Sequence, residues 1–395
     1  MVALLLLFIL LLIIFSIPAV QTGVAKRLTD SLHEKNNVNV SIGSIKIGYL
    51  GKVKLKNIFV EDHHEDTLIY AQQVKTSMLS LSRLLNNSPN FGRTTVDGAI
   101  VKMKKYKGEE KDNFSIFIDK LKKEPTGDTA HFELSVSDVE ILNSHYSYRD
   151  MELENPDAVV VDSLNIYAKD LKIDGPRINT HISSLQGNMK RGIKIENLTT
   201  DFSYSHTQMA LKNLRLETPG SDIKAEIVFD YDLQDFSDFV NKVQITARFD
   251  DSRVSSHDLQ GFYDGFGDGQ ILNLNTKLTG TLNSFHLANL ALKGLDRTGV
   301  YGETQIDGAF TKGGKDFKLT GDFSEFTTNY YDLVNFLPGP LRGNLSEKLT
   351  KFGNVRMQGN TKITTSSLDA DVIFVSQLGS AKANLVLRNL GEEGQ

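Results

Sequence analysis

Cysteine and tryptophan are absent from this 395-residue chain, and proline is sparse, at 8 residues. Without cysteine there are no disulfide staples, no thiolate zinc sites and no cysteine nucleophile. The redox compartment stays open, because an oxidising space permits disulfides without requiring them. Excess basic charge is also missing. Lys and Arg number 44 against 49 Asp and Glu, a net charge of -5, so the chain offers no basic field and nucleic acid is not an expected partner. Long apolar runs are missing too, with one exception.

That exception is Val2 to Val20, which carries no charge. At about 1.5 Å rise per residue, about 19 residues cover the ~30 Å hydrocarbon core of a bilayer. A cleaved signal peptide would show a basic start, a shorter apolar stretch and a small-x-small processing site. No Lys or Arg precedes this run, and Ile17-Pro18-Ala19 is a poor processing site. The expectation is an uncleaved transmembrane anchor over residues 1–20, with a cleaved signal as the alternative. The nearest cations, Lys26 and Arg27, follow the run; on charge alone they favour keeping that side cytoplasmic, although a large β domain can be exported past two flanking charges.

Beyond the anchor the periodicity changes twice. Val20, Val24, Leu28 and Leu32 recur every fourth residue among Lys26, Arg27, Asp30 and Glu34, the pattern of an amphipathic helix. From Val38 the period becomes two, in Val38-Val40-Ile42, Ile45-Ile47-Tyr49 and Val53-Leu55, which reads as half-buried strands. Two short helices interrupt: Leu79 to Leu85 running into Asn86-Asn87-Ser88-Pro89, and Phe114 to Leu121 running into Lys122-Lys123-Glu124-Pro125. Both are placed to cover one end of a sheet. The polar stretch Glu124 to Ala130 then makes a boundary, giving an α+β region over residues 21–130 and a repetitive β region over 131–395.

In that second region the alternation dominates. Phe132, Leu134 and Val136 are followed by Ile223 to Tyr231, Ile245 to Phe249, Leu272 to Leu278, Ile306 to Phe310, Val355 to Ile363 and Leu368 to Phe374. Parallel sheets covered by helices read as continuous apolar runs, so clean alternation points to antiparallel sheet with one wet face. Strands ending on Gly280 and Gly308 repeat loosely, too loosely for a strict solenoid. The apolar faces must go somewhere. A closed barrel of ~20 strands needs a filled or watery lumen, and sandwiches usually stop near about 100 residues per domain. A sheet curled along its length, with the apolar faces lining a groove, is the remaining solution; ~20 strands at ~4.8 Å spacing stack to roughly 100 Å. Period-two patterning alone leaves a packed core and an open trough equally available.

Candidate chemistry is thin. Glu61-Asp62-His63-His64-Glu65-Asp66 has metal-ligand residue types, but its position between two strands reads first as a solvated hairpin loop. Asp264 to Gly269 lacks the ligand spacing and closing glutamate of an EF-hand and reads as a turn. His145, His181, His206, His257 and His286 have no serine or carboxylate at motif spacing, and no nucleophile elbow or phosphate loop is present. No catalytic, metal or cofactor residue is assigned, and no enzymatic activity is expected. Tyr330 to Leu337 breaks the β pattern before Pro338-Gly339-Pro340 and reads as a short helical connection or as a gate across the groove.

Several of these segments carry a family resemblance. The apolar run, the Ala19-Val20-Gln21 exit into an amphipathic helix, Val40 to Ile45, Asp66 to Ala71 and the Leu81 to Leu85 helix together resemble the N-terminal part of a TamB-type translocation and assembly module of the AsmA-like superfamily. Gly280-Thr281-Leu282 through Leu287 to Leu292, Gly302 and Ile306-Asp307-Gly308 are similar to its β repeats. The resemblance implies a single-pass inner-membrane protein of a diderm bacterium with its β domain in the periplasm. It implies a β-taco groove that carries phospholipid towards the outer membrane or assists assembly there with a barrel partner. The family's C-terminal domain is not recognisable, so the chain is expected to be a fragment. On this reading the groove lining is Phe132, Leu134, Val136, Ile227, Phe229, Ile245, Phe249, Leu274, Leu278, Ile306, Phe310, Val372 and Phe374, meeting phospholipid acyl chains. Two alternatives stay open: a scaffold that binds outer-membrane strands by β-augmentation, and a surface adhesin built of β-sandwiches.

Overall fold

The computed structural model describes residues 39–48, 51–79, 88–121, 133–152, 157–175, 177–190, 192–260, 269–311, 316–336 and 346–388. The expected anchor, the amphipathic helix after it, the Leu81 to Leu85 helix, Phe132 and the Asp264 to Asp268 stretch lie outside them. No helix among the described residues is long and apolar enough to cross a membrane. The described chain is mostly β, and it falls into two compact units, Met1–Ser205 and His206–Gln395. The expected division after residue 130 lies inside the first unit.

The first unit contains β1 (Val40–Ile47), β2 (Lys52–Glu61), β3 (Thr67–Ser77), β4 (Asn90–Lys105), α1 (Asn113–Leu121), β5 (Glu133–Asp150), β6 (Asp157–Asp174), β7 (Arg177–Met189) and β8 (Lys194–Tyr204). Each strand pairs with the next, antiparallel throughout except for β4 and β5, which run parallel from Asn90↔Ser135 to Lys105↔Asp150. The mostly antiparallel sheet expected from the alternation holds for the other pairs, and this parallel pair is the exception. A parallel pair needs a crossover long enough to return the chain to the same end of the sheet, and α1 supplies it. Asp112 starts that helix by accepting from the Ser115 N–H and hydroxyl at 2.8 Å each, an N-cap that satisfies an orphan donor of the first turn. Phe114 and Phe117 then turn inward, 5 % and 3 % exposed. Leu55, Ile58, Leu68, Ile69, Phe91 and Leu171 are no more than 1 % exposed, so the apolar side of this unit is a filled core.

The second unit contains β9 (Gln208–Glu217), β10 (Asp222–Asp230), α2 (Phe239–Lys242), β11 (Gln244–Ser255), α3 (Ser256–Gln260), β12 (Ile271–Gly280), β13 (Ser284–Gly294), β14 (Thr298–Asp307), β15 (Lys318–Thr328), α4 (Tyr330–Phe336), β16 (Val355–Thr364), β17 (Ser367–Ser376) and β18 (Gly379–Arg388). Its strands form one antiparallel meander in sequence order.

Most of the long strands are interrupted by one extra residue. Asn143, Ser163, Asp170, Asn213, Asp251 and Asn289 have φ between 42° and 52°, and each sits at or opposite a break in register. Asn and Asp tolerate this left-handed conformation because their short side chains bond locally, and each bulge bends its strand and increases the local twist. The same bulges re-phase the alternation. Leu287 is followed on its face by Leu290, three residues on, because Asn289 is the inserted position.

Candidate functional site

The register of the second unit lines its apolar residues into rows that cross the strands. One row runs Phe229, Ile245, Gly280, Phe285, Ile306, Leu319, Ile363, Leu368. A parallel row runs Leu274, Leu292, Val300, Phe326, Met357, Phe374, Ala381. On β16 the alternation is complete, with Val355, Met357, Gly359, Thr361 and Ile363 half-buried and the residues between them exposed up to Lys362. Half-burial separates this face from the filled core of the first unit. Ile227, Phe229, Phe249, Leu274, Leu278, Ile306 and Phe374 are all half-buried, and only Ile245 and Val372 among the expected lining of this unit are buried.

The remaining expected positions fall elsewhere. Leu134 and Val136 are 2 % and 1 % exposed in the core of the first unit. Phe310 lies past the end of β14, with its N–H donated to Asn283 Oδ1 at 2.9 Å and the residue 58 % exposed. At one end of the apolar face, Leu272, Leu292, Leu295, Val300, Phe326 and Leu333 line a hollow of about 100 Å³. The helix α4 contributes Leu333 to it. Asp332 on the same helix is buried and accepts from the Arg297 N–H and the Thr298 hydroxyl at 2.8 Å each, which ties α4 to the β13–β14 turn.

A second constellation forms at the β2–β3 turn. Asp62 is buried and accepts from the His64 N–H at 2.8 Å, the Asp66 N–H at 3.0 Å, the Tyr106 hydroxyl at 2.8 Å and the Asn113 amide at 2.8 Å. Desolvation pushes this carboxyl up, but the bonds from Asn113, Tyr106 and the two backbone donors outweigh it and hold the group below the usual range. Burial, then the bonds to Asp62 and Asp66, drive the Tyr106 phenol far above its ordinary value. With the turn fixed in this way, His63 Nε2 lies 2.9 Å and His64 Nε2 2.8 Å from the Glu109 carboxylate. Asn113, the first residue of a glycosylation triplet, is fully buried and donates and accepts inside this network.

The scattered histidines find carboxylates across strands. His145 pairs with Asp162 at 2.6 Å and His181 with Asp201 at 2.7 Å. Sequence spacing hid these contacts, because strand pairing and not chain distance sets the neighbours. No protein-family model matches the chain, and no curated protein sequence matches it either.

Proposed function

We propose that the chain is a membrane-anchored conduit that carries phospholipid acyl chains along the apolar face of its second unit. The half-exposed state of that face, continuous in register from β10 to β17, is the observation that carries the reading. An apolar row left partly open costs hydrophobic stabilisation unless something covers it. Lipid is a suitable cover. Exposing an acyl chain costs about 0.8 kcal/mol per methylene, so moving a sixteen-carbon chain through water is uphill by on the order of 12 kcal/mol. A trough keeps that area buried and lowers the barrier without covalent chemistry. The apolar run Val2 to Val20 supplies the anchor in this reading. The TamB-type resemblance supplies the compartment, an inner-membrane attachment with the β units in the periplasm, and a barrel partner in the outer membrane.

Mass spectrometry of organic extracts from the purified chain tests it. Phospholipid near one molecule per chain is expected, lost in Phe249→Glu and retained in Phe310→Glu, whose side chain is largely exposed already. A lipid-free, stably folded wild type overturns the proposal.

One observation favours scaffolding as a second reading. Ile373, Val375, Leu385 and Val386 are all 45 % exposed or more, and they sit on β17 and β18, the second of which pairs with β17 alone among the described residues; a strand side without a partner can take another strand. Photo-crosslinks from Lys382 or Asn384 to unfolded outer-membrane strands, with no bound lipid, would select it.

A further inference from the structure

We infer that His63, His64 and Glu109 form a binding site for a single borderline transition-metal ion of the zinc type. The three ligand atoms lie within 4.8 Å of one another. Bonds of about 2.0–2.1 Å to a tetrahedral ion require neighbouring ligand atoms roughly 3.3 Å apart. The two imidazole nitrogens already stand 2.8–3.1 Å from the carboxylate oxygens, so the histidine–carboxylate separations lie within a few tenths of an ångström of that value.

The ligands are held from behind. His63 and His64 are consecutive residues of a turn that Asp62 locks through the His64 and Asp66 N–H groups. Glu109 stands on a turn closed by its own N–H to the Tyr106 carbonyl at 3.1 Å. The Tyr106 ring packs against both imidazoles, with centroids 4.0 Å from His64 and 5.6 Å from His63. Charge fits as well. Asp62, Asp66 and Glu109 are acidic, and the nearby ammonium of Lys104 is paired with Asp66 at 2.6 Å.

Two imidazoles and one carboxylate select zinc, nickel or copper over calcium and magnesium, which prefer all-oxygen sites. Three protein ligands leave a fourth position for water or an exogenous donor, and the partial exposure of His64 and Glu109, 46 % and 27 % by side chain, opens it to solvent. His63 Nδ1 is buried and has no hydrogen-bond partner among the described residues, so none of them fixes its tautomer. This marks an exchangeable site and not a closed structural zinc. The ion would clamp the β2–β3 turn to the segment after β4.

The test uses the full chain without a polyhistidine tag, stripped with chelator and titrated with zinc alone against a chromogenic competitor. One zinc per chain is expected. Glu109→Gln and His64→Gln are each expected to weaken binding by at least ~100-fold, beyond the roughly 10–100-fold that losing an outer partner costs. The surface variant His181→Gln should bind as wild type does. Cobalt in place of zinc should give a tetrahedral visible spectrum in the wild type and none in Glu109→Gln. Absence of stoichiometric zinc in the wild type, or wild-type affinity in both ligand variants, overturns the inference.

Discussion

Ser252 and Lys224 exchange two hydrogen bonds across β10 and β11: the Ser252 hydroxyl accepts from the Lys224 N–H at 3.0 Å and donates to the Lys224 carbonyl at 2.9 Å. The Asp251 bulge removes the ladder partners of Lys224, and the next residue replaces them with its side chain. Ser252 is fully buried, so water cannot substitute. Ser252→Ala should therefore lower stability by about 1–3 kcal/mol, the cost of stranding buried backbone groups. Urea unfolding measures this, and a loss under ~0.5 kcal/mol would show that the ladder closes without the hydroxyl.

The first unit repeats the device. Ser144 follows the bulged Asn143 and accepts from the Ala99 N–H at 3.1 Å, across the parallel β4–β5 pair. The bulge backbone is met in turn by an asparagine of the neighbouring strand, Asn165 for Asn143 and Asn275 for Asp251. Ser144→Ala should cost about the same as Ser252→Ala. The two effects should add, since they lie in separate units. A double variant that loses much less than the sum would refute the independence of the two sites.

Glycine governs close approach on the apolar face. Phe323 lies in register between Gly302 on β14 and Gly359 on β16, and these glycines have φ of 147° and 137°. A methyl group on Gly302 would strike the Asp322 carbonyl, one on Gly359 the Asp371 carbonyl, and one on Gly321 the Phe323 ring. Gly302→Ala should destabilise the second unit by about 1–3 kcal/mol. Gly175→Ala, at φ 54° with nothing near the added carbon, should lose only about 1 kcal/mol. Equal losses in the two variants would mean that φ alone, and not backbone overlap, sets the cost.

The alternation that marks these strands was legible residue by residue, and so was the Phe114 and Phe117 stripe of α1. The three-residue step from Leu287 to Leu290 was visible too, but its cause, Asn289 in a left-handed conformation, is a property of pairing. Parallel β4 and β5 were not legible, because the side-chain period is two in either direction. Burial was hidden for a similar reason. Leu134 and Phe249 occupy equivalent positions in equivalent patterns, yet one is in a filled core and the other half-open. The meeting of His63 and His64 with Glu109 depends on two strands and a turn returning the chain over some 45 residues, which no local spacing encodes.

Alkaline titration probes the first unit from another side. Burial, then the charges of Asp112 and Asp150, push the Tyr148 phenol up to about 12, and burial raises Tyr146 as well. A group raised in the folded state keeps its contribution below the unfolded value, near about 10, and loses it as pH climbs through the folded value. Stability should thus fall between about pH 10 and about pH 12, with a shallower fall in Tyr148→Phe. Denaturant midpoints across that window provide the check, and an unchanged slope in the variant would remove Tyr148 from the account.

The α4 segment has two readings, a plain connection and a gate across the groove, and Asp332 separates their consequences. Its carboxylate holds the Arg297 N–H and the Thr298 hydroxyl, while Leu333 on the next position enters the apolar hollow. Asp332→Ala removes a buried acceptor and releases the β13–β14 turn, whose Arg297 and Thr298 donors are only part-buried, so amide exchange at Asp296 to Thr298 should accelerate and stability should drop by about 1 kcal/mol. Leu333→Ala leaves the anchor in place and enlarges the hollow. For a connection, it should cost packing energy alone, about 2–3 kcal/mol if the site does not collapse. For a gate, it should speed exchange of a fluorescent acyl-chain probe by more than Asp332→Ala does, at smaller loss of stability. Probe exchange that simply tracks global stability across both variants would assign α4 to the scaffold and deny it any control over the groove.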